Sequence, residues 1–184
     1  MAYDSCLLKM EKKDLKIVLM GLPGSGKSTL GKEVAKTLEL DFFDLDELIV
    51  KDVGCSINRL FATKGEEFFC QKESEMLRKI LGAEGSFILS TGGGTPCYNQ
   101  NITLINENGL SIFLDVPKHI LKERLTKNRG CKRPMFRGLD DKAVFDKLDK
   151  LEQERSPYYN QAKIKLSGEA IPTELILSKI KAFL

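Results

Sequence analysis

The sequence contains no tryptophan and a single histidine, and its five cysteines include no C-x-x-C pair. The odd number and the spacing of the cysteines argue against a disulfide framework or a zinc site, so we expect a reducing, cytoplasmic setting. The one histidine, His119, lies in a charged helical pattern, which leaves no histidine placed to act as a general base. No apolar run reaches the length of a membrane span. These absences argue against disulfide-rich, zinc-binding and membrane-spanning proteins.

Neither sign of charge is in large excess, because the net charge of +3 is too small to indicate a nucleic-acid partner by itself. Hydrophobic residues make up 42% and charged residues 30% of the 184 positions, which suits one globular domain with a sizeable core. Residues 1–14 contain only "CLL" as an apolar stretch, so we expect a short extension and not a signal peptide. We expect residues 15–184 to form a single domain that is a monomer and binds neither membrane nor nucleic acid.

The most informative stretch that is present is "MGLPGSGKST", residues 20–29, between an apolar strand pattern and a helical pattern. It fits G-x-x-x-x-G-K-[ST], the phosphate-binding loop. Its glycines let consecutive N–H groups surround an anion, and the helix N-terminus adds positive potential. The lysine can reach the β- and γ-phosphates, and the serine hydroxyl can ligate Mg2+. The alternative is a plain glycine-rich turn. The candidate nucleotide-binding residues here are Gly21, Gly24, Ser25, Gly26, Lys27, Ser28 and Thr29.

Apolar runs alternate with helical patterns along the rest of the chain, which predicts an α/β fold with an open parallel sheet and right-handed crossovers. The predicted strands are residues 16–21, 41–46, 86–91, 110–116 and 162–167. The predicted helices are residues 27–39, 46–52, 57–62, 65–82, 117–127, 141–155 and a last one after Pro172. In such sheets ligands bind beyond the carboxyl ends of the strands, so the residues that follow each strand are the candidate site.

Two carboxylates, Asp44 and Asp46, stand at the end of the second predicted strand in "DLD". If the strand is still extended there, the spacing of two puts both side chains on the same side. One carboxylate could hold Mg2+ through water while the other meets a substrate hydroxyl. The alternative is that one of them only caps the following helix.

Three consecutive glycines, Gly92, Gly93 and Gly94, follow the third predicted strand in "STGGGTP". They expose backbone N–H groups and carry no side chains, so a ligand can approach the backbone closely. The alternative is a flexible turn.

A basic segment follows the fourth predicted strand and its helix. It contains Lys127, Arg129, Lys132, Arg133 and Arg137. This composition predicts a mobile lid, about residues 126–140, that closes over phosphates and excludes water. The alternatives are a solvated basic loop and a nucleic-acid patch, although the segment lacks the interleaved aromatics that stack on bases. Farther along, Arg155 lies at a predicted helix end, where it could grip a carboxylate or act as a surface cap.

Taken together, these residues resemble the shikimate kinase family over about residues 15–184. The resemblance is carried by "GLPGSGKST", "DLD", "FATKGEEFF", "STGGG", "KRPMF" and "ERSPYY", in that order. It implies a three-layer P-loop fold, with a five-stranded parallel sheet in the order 2-3-1-4-5, flanking helices and a mobile lid. It also implies transfer of the γ-phosphate of ATP, with Mg2+ as cofactor, to the 3-hydroxyl of shikimate in aromatic amino-acid synthesis.

The resemblance also implies roles for individual residues. On the nucleotide side, Ser28 ligates Mg2+ with help from Asp44 through water, and Arg124 lies near the adenine. On the substrate side, Asp46 orients or deprotonates the attacking hydroxyl, Gly92, Gly93 and Gly94 wall the pocket, and Arg155 grips the carboxylate. Arg133 contacts the transferring phosphate. The implied catalytic residues are Lys27, Asp46 and Arg133.

One position departs from the family pattern, because Cys70 stands where a second carboxylate-binding arginine is expected. Its helical spacing with Leu77 and Leu81 favours a packed, inert cysteine. We therefore expect an active kinase with a weaker or altered grip on its substrate. Two alternatives remain open at this point: a P-loop kinase for another small hydroxy acid such as gluconate, and a nucleotide-binding protein that has lost catalysis.

Overall fold

Short parallel strands and longer helices alternate along the chain, and their bounds follow from a computed structural model that describes residues 14–127, 134–136 and 138–184. The strands are β1 (Lys16–Met20), β2 (Asp41–Asp44), β3 (Phe87–Ser90), β4 (Leu110–Asp115) and β5 (Ile164–Ser167). The helices are α1 (Lys27–Leu38), α2 (Leu45–Val53), α3 (Ile57–Gly82), α4 (Asn101–Asn108), α5 (Lys118–Lys127), α6 (Asp141–Tyr159) and α7 (Thr173–Phe183). Single 3-10 turns cover Thr95–Cys97 and Pro134–Phe136.

The five strands form one parallel sheet in the order β2-β3-β1-β4-β5, which confirms the expected order. The central strand β1 is buried on both faces. Ile17 pairs in register with Ile88 of β3 and with Leu110 of β4. The phosphate-binding loop therefore leaves the middle of the sheet, where neighbouring strands end on both sides of it.

Helices cover both faces of the sheet, so the fold has three layers. Ile17 and Leu19 pack in a cluster with residues of α1, α6 and α7, whereas Val18 packs with residues of α2 and α3. This alternation follows from the strand period of two, since successive side chains point to opposite faces. Continuous apolar strands such as "KIVLM" thus reflect burial from both sides.

The second strand ends earlier than its sequence indicates, because β2 stops at Asp44 and Asp46 lies in the first turn of α2. The Asp44 side chain accepts a hydrogen bond from the Asp46 N–H at 3.1 Å, which caps the helix and ends the strand. The expectation that an extended strand places both carboxylates on one side was therefore wrong. The first turn of α2 sets the position of Asp46.

The predicted division between helices 57–62 and 65–82 is confirmed, because α3 has a kink at Gly65, whose backbone (φ 82°, ψ 175°) is non-helical. Two other helices differ from the prediction. Helix α4 was missed, because its short polar sequence is helical mainly through burial of Ile102 and Ile105. Helix α6 continues past 155, with Pro157 inside it, to the buried Tyr159.

Only part of the basic segment falls within the described residues. Lys127 ends α5, and the turn Pro134–Phe136 is held to α6 by Lys147, whose Nζ donates to the Met135 carbonyl at 2.6 Å. Arg129, Lys132, Arg133 and Arg137 lie outside the described residues, so the mobile lid remains a prediction. Within the described ranges, no helix has both the length and the apolarity needed to cross a membrane.

Helix α1 approaches the sheet closely at Gly31, and this contact can be tested. A Cβ atom at Gly31 would lie 2.5 Å from Phe42 Cε2 and 3.1 Å from Leu19 Cδ1. Gly31→Ala should therefore overpack the interface and lower the free energy of unfolding by about 1–3 kcal/mol in urea denaturation. Gly82→Ala is the matched control, because a Cβ there meets nothing within 4 Å. An equal effect of both variants would contradict the close approach.

Candidate active site

A large cleft opens at the carboxyl ends of β1, β2 and β3, with a volume of about 2160 Å3. Small-molecule sites typically occupy about 300–1,000 Å3, so this cleft has room for two ligands side by side. One side is lined by the phosphate-binding loop. The other, here called the glycine-walled pocket, is lined by Asp46, Phe69, Cys70, Glu73, Gly92, Gly93, Gly94, Tyr98 and Arg155.

The phosphate-binding loop is closed around the ammonium group of Lys27. Lys27 Nζ donates to the carbonyls of Gly21 and Leu22 at 2.8 and 3.2 Å and to Ser25 Oγ at 3.5 Å. Gly21 has a φ of +148°, and a Cβ there would lie 2.7 Å from the Leu114 carbonyl oxygen. Glycine is thus required by backbone conformation and by the close approach of β4. The loop holds a buried cation beside the start of α1, where an anion is favoured.

A small hydrogen-bonded group joins the ends of three elements. Ser28, in the first turn of α1, donates from its Oγ to Asp44 Oδ2 at 2.7 Å and lies 3.2 Å from Ser90 Oγ of β3. The other carboxylate oxygen of Asp44 caps α2 through the Asp46 N–H. Asp44 therefore caps α2, which the sequence left as one alternative, and its second carboxylate oxygen faces the loop serine.

Two carboxyl groups meet at Gly92, on the wall of the glycine-walled pocket. A Cβ at Gly92 would lie 2.5 Å from Glu73 Oε1 and 3.5 Å from Asp46 Oδ1. Glu73 is only 3% exposed and accepts a hydrogen bond from the Thr95 hydroxyl. Burial, opposed by the Thr95 hydrogen bond and reinforced by the nearby Asp46 charge, raises the pKa of Glu73 to about 7. The pocket thus contains one carboxyl group that titrates near neutral pH.

Arg155 lines the pocket from α6, one turn before the end of that helix. A Cβ at Gly93 would lie 2.8 Å from Arg155 Nη1, so glycine leaves the guanidinium room to lie over the backbone. Tyr159, buried one turn later, donates from its hydroxyl to the Gly93 carbonyl at 2.5 Å and is also hydrogen-bonded to Arg155. Burial raises the pKa of the Tyr159 phenol well above its usual range, so it stays protonated. Tyr159 fixes Arg155 against the glycine wall.

Cys70 and Tyr98 line the pocket, and Cys97 directly precedes Tyr98 in the chain. Burial raises the pKa values of Cys70 and Cys97 to about 11, so both remain neutral thiols at physiological pH. Cys70 is 7% exposed and is hydrogen-bonded to the Tyr98 side chain. The interpretation of Cys70 as a packed residue agrees with its burial, but Cys70 also forms part of the pocket wall.

The remaining predicted residues divide between the two sides of the cleft and the undescribed part of the chain. Arg124 donates to the Gly24 carbonyl at 3.1 Å and to the Glu169 carbonyl at 2.8 Å, which ties α5 to the phosphate-binding loop. Thr29 lines the cleft beside the loop. The structure thus brings together every predicted site residue except Arg133, which lies outside the described residues.

Sequence reasoning missed several residues that shape the pocket. Glu73 could have been found, because it stands between Phe69 and Leu77 at a helical spacing of four, on a face that is otherwise apolar. Tyr98 and Tyr159 carry no such signal. Tyr98 reaches the pocket from the turn that follows the glycines. Tyr159 reaches the Gly93 carbonyl from the last turn of α6, which extends past the predicted end of that helix.

Comparison with known proteins gives one consistent family. Residues 23–184 match the sequence profile of the family described as shikimate kinase. A shikimate kinase of Clostridium botulinum strain 657 is 40% identical over 146 residues, which cover 79% of this chain and 83% of that protein.

Solved structures agree with this match. A shikimate kinase from Bacteroides thetaiotaomicron superposes with a TM-score of 0.84 at 31% identity, covering 92% of this chain and 97% of that one. A shikimate kinase from Acinetobacter baumannii, solved in complex with shikimate, superposes with a TM-score of 0.80 at 25% identity, covering 92% of each chain.

The raised pKa of Glu73 predicts a pH-dependent stability. Because the folded pKa is about 7 against an ordinary value of 4.5, the folded state keeps a proton that the unfolded chain releases between these values. Glu73 should therefore cost stability progressively as pH rises from about 4.5 to 7, and fully above 7. Glu73→Gln cannot ionise, so urea unfolding should show it gaining up to about 3 kcal/mol over wild type across this range.

The control for this prediction is Glu67→Gln, an exposed position on the same helix. It should keep the wild-type dependence of unfolding free energy on pH. A Glu73→Gln variant whose stability follows the same pH profile as wild type would show that the Glu73 carboxyl is not held in its protonated form.

Proposed function

This chain belongs to the shikimate kinase family, and we propose that it transfers the γ-phosphate of ATP to the 3-hydroxyl of shikimate. The observation that carries the proposal is the shared cleft: a closed phosphate-binding loop and a pocket lined by both Asp46 and Arg155 open into the same space. Shikimate has ring hydroxyls and one carboxylate, which suit a carboxylate acceptor and a guanidinium donor placed in this way. The family match favours this reading over the gluconate alternative.

The nucleotide belongs on the loop side of the cleft. Gly24, Gly26, Lys27 and Thr29 line this side of the cleft, where the glycine N–H groups and the two side chains would surround the phosphates, and Ser25 lies in the loop between the glycines. Lys27 lies within this loop, where its charge offsets that of the β- and γ-phosphates.

Two arginines complete the nucleotide side in this proposal. Arg124 contacts the Gly24 carbonyl and lies at the edge where a nucleobase would project from the loop. We assign Arg133, from the basic segment, to the transferring phosphate. Its cation would stabilise the charge that develops in transfer.

Mg2+ fits the oxygen atoms of Ser28 and Asp44. A hydroxyl and a carboxylate 2.7 Å apart are both hard oxygen donors, which Mg2+ prefers. Among the described residues, no group of three or more histidine, cysteine, aspartate or glutamate side chains could hold a metal. The two side chains would therefore share the ion with phosphate oxygens and water, as is usual for Mg2+ in kinases. When bound, the ion neutralises phosphate charge.

Asp46 and Arg155 position the acceptor in this proposal. Phosphoryl transfer depends more on positioning and charge stabilisation than on a strong base. Asp46, at the start of α2, accepts a hydrogen bond from the attacking hydroxyl and holds it in line with the γ-phosphate. Arg155, fixed by Tyr159, grips the carboxylate at the other end. Gly92, Gly93 and Gly94 leave space for the ring between them.

We propose further that the chain works as a cytoplasmic monomer. The phosphate-binding loop and the glycine-walled pocket of one chain open into the same cleft, which supports a site formed within one copy. The described cysteines Cys55, Cys70 and Cys97 are free thiols, as a reducing compartment favours.

The assignment of Asp46 predicts a separation of turnover from nucleotide binding. ADP release should depend on added shikimate in the wild type, and Asp46→Asn should lower kcat by about 100-fold or more while the Kd for ATP stays within about twofold. Asp52→Asn, the same change at an exposed position of α2, is the control and should keep wild-type kcat. Wild-type turnover in Asp46→Asn, or a collapse of ATP binding, would contradict the assignment.

A further inference from the structure

We propose that Tyr98 is a specificity-determining residue that binds the acceptor: its hydroxyl donates a hydrogen bond to the acceptor's carboxylate beside Arg155. This inference rests on the proposed function, because it assumes that the glycine-walled pocket takes a hydroxy acid. It adds a phenol to the pair formed by Asp46 and Arg155, and it assigns a ligand to a side chain that no sequence motif points to.

The Tyr98 ring and the Arg155 guanidinium both lie close to Gly94. Tyr98 directly follows the 3-10 turn Thr95–Cys97, which carries the chain away from the three glycines. A Cβ at Gly94 would lie 3.5 Å from Tyr98 Cε2 and 3.7 Å from Arg155 Nη2. The phenol ring and the guanidinium therefore approach the same glycine from two directions. A carboxylate held by Arg155 at this place lies within reach of the tyrosine.

Two tyrosines near the glycine wall differ in their exposure to solvent. Tyr98 is 41% exposed within the cleft, whereas Tyr159 on the opposite side of the glycine wall is 1% exposed and hydrogen-bonded to Gly93. The two tyrosines thus have different tasks. Tyr159 supports the wall from behind, and Tyr98 offers its ring and hydroxyl to whatever occupies the pocket.

The Tyr98 hydroxyl has a weak hydrogen-bond acceptor in the pocket. The phenol donates to the Cys70 side chain, and a thiol sulfur is a weak acceptor. A carboxylate oxygen is a much stronger acceptor, so the hydroxyl gains by turning from the sulfur to the ligand. Burial, together with Cys70 and Glu66, raises the pKa of Tyr98, so the phenol keeps the proton that a donor requires.

Of the described residues that line the glycine-walled pocket, Arg155 is the one that carries a positive charge, and Asp46 and Glu73 carry carboxyl groups. The Glu66 carboxylate also lies near Tyr98. Cys70 is a neutral thiol because burial raises its pKa to about 11. A carboxylate in this pocket is therefore held by one described cation and must find its remaining donors among neutral groups. Tyr98 is placed to supply one.

The test is Tyr98→Phe, which removes the hydroxyl and keeps the ring. The KM for shikimate should rise by roughly 10-fold or more, while kcat and the KM for ATP stay within about twofold, since the carboxylate is remote from the reacting hydroxyl. Tyr158→Phe is the matched control, because Tyr158 is a partly exposed tyrosine of α6 that does not line the cleft. It should keep the wild-type KM.

A second substrate locates the contact on the ligand. With an analogue of shikimate in which a hydroxymethyl group replaces the carboxylate, Tyr98→Phe should change KM by less than about twofold, because the charged acceptor is gone. An equal loss with both substrates would place Tyr98 on the ring hydroxyls and overturn the assigned contact.

The outcomes separate this inference from the proposed function. Shikimate turnover by the wild type with an unchanged KM in Tyr98→Phe overturns the inference alone, because a purely structural ring would tolerate that change. No shikimate-dependent ADP release by the wild type would refute the proposed function and, with it, this inference.

Discussion

The Asp44 carboxylate is the constraint on which both sides of the cleft depend. One of its oxygens accepts from the Ser28 hydroxyl at 2.7 Å, and the other accepts from the Asp46 N–H at 3.1 Å. The first contact ties β2 to the phosphate-binding loop. The second ends the strand and begins α2, which places Asp46 on the acceptor side. A single side chain thus links the phosphate-binding loop to the helix that carries Asp46.

The acceptor side combines the carboxyl groups of Asp46 and Glu73 with the guanidinium of Arg155. Asp46 and Glu73 converge at Gly92, and the cost of placing two carboxyls together raises the pKa of Glu73 beyond what burial alone does. Arg155 opposes them and is held against the Gly93 backbone by Tyr159. In the proposed function the substrate carboxylate would meet a cation that is already oriented, which lowers the cost of binding.

Much of this arrangement was predictable, and the exceptions have physical reasons. The phosphate-binding loop followed from local spacing, because a loop motif fixes its own conformation, and the sheet order followed from the resemblance to the family. The position of Asp46 did not, since a period-two argument fails where a helix cap ends the strand. The place of Tyr159 was not predicted, because Pro157 suggested that α6 would end before it. Glu73 did carry a local signal, as a carboxyl group on an apolar helix face. Tyr98 and Tyr159 join the site through contacts between residues far apart in the chain, which local patterns do not encode.

The most direct test of this account is the Mg2+ dependence of ATP binding in Asp44→Asn, measured by calorimetry. Asparagine is an equally good helix cap, so α2 and the Kd for shikimate should be preserved to within about twofold. The lost negative charge should weaken ATP binding in Mg2+ by about 10-fold or more and leave metal-free binding little changed. Asp41→Asn, at the exposed start of β2, should match wild type in every measurement. Unchanged Mg2+-dependent ATP affinity in Asp44→Asn would contradict the role of Asp44 on the nucleotide side.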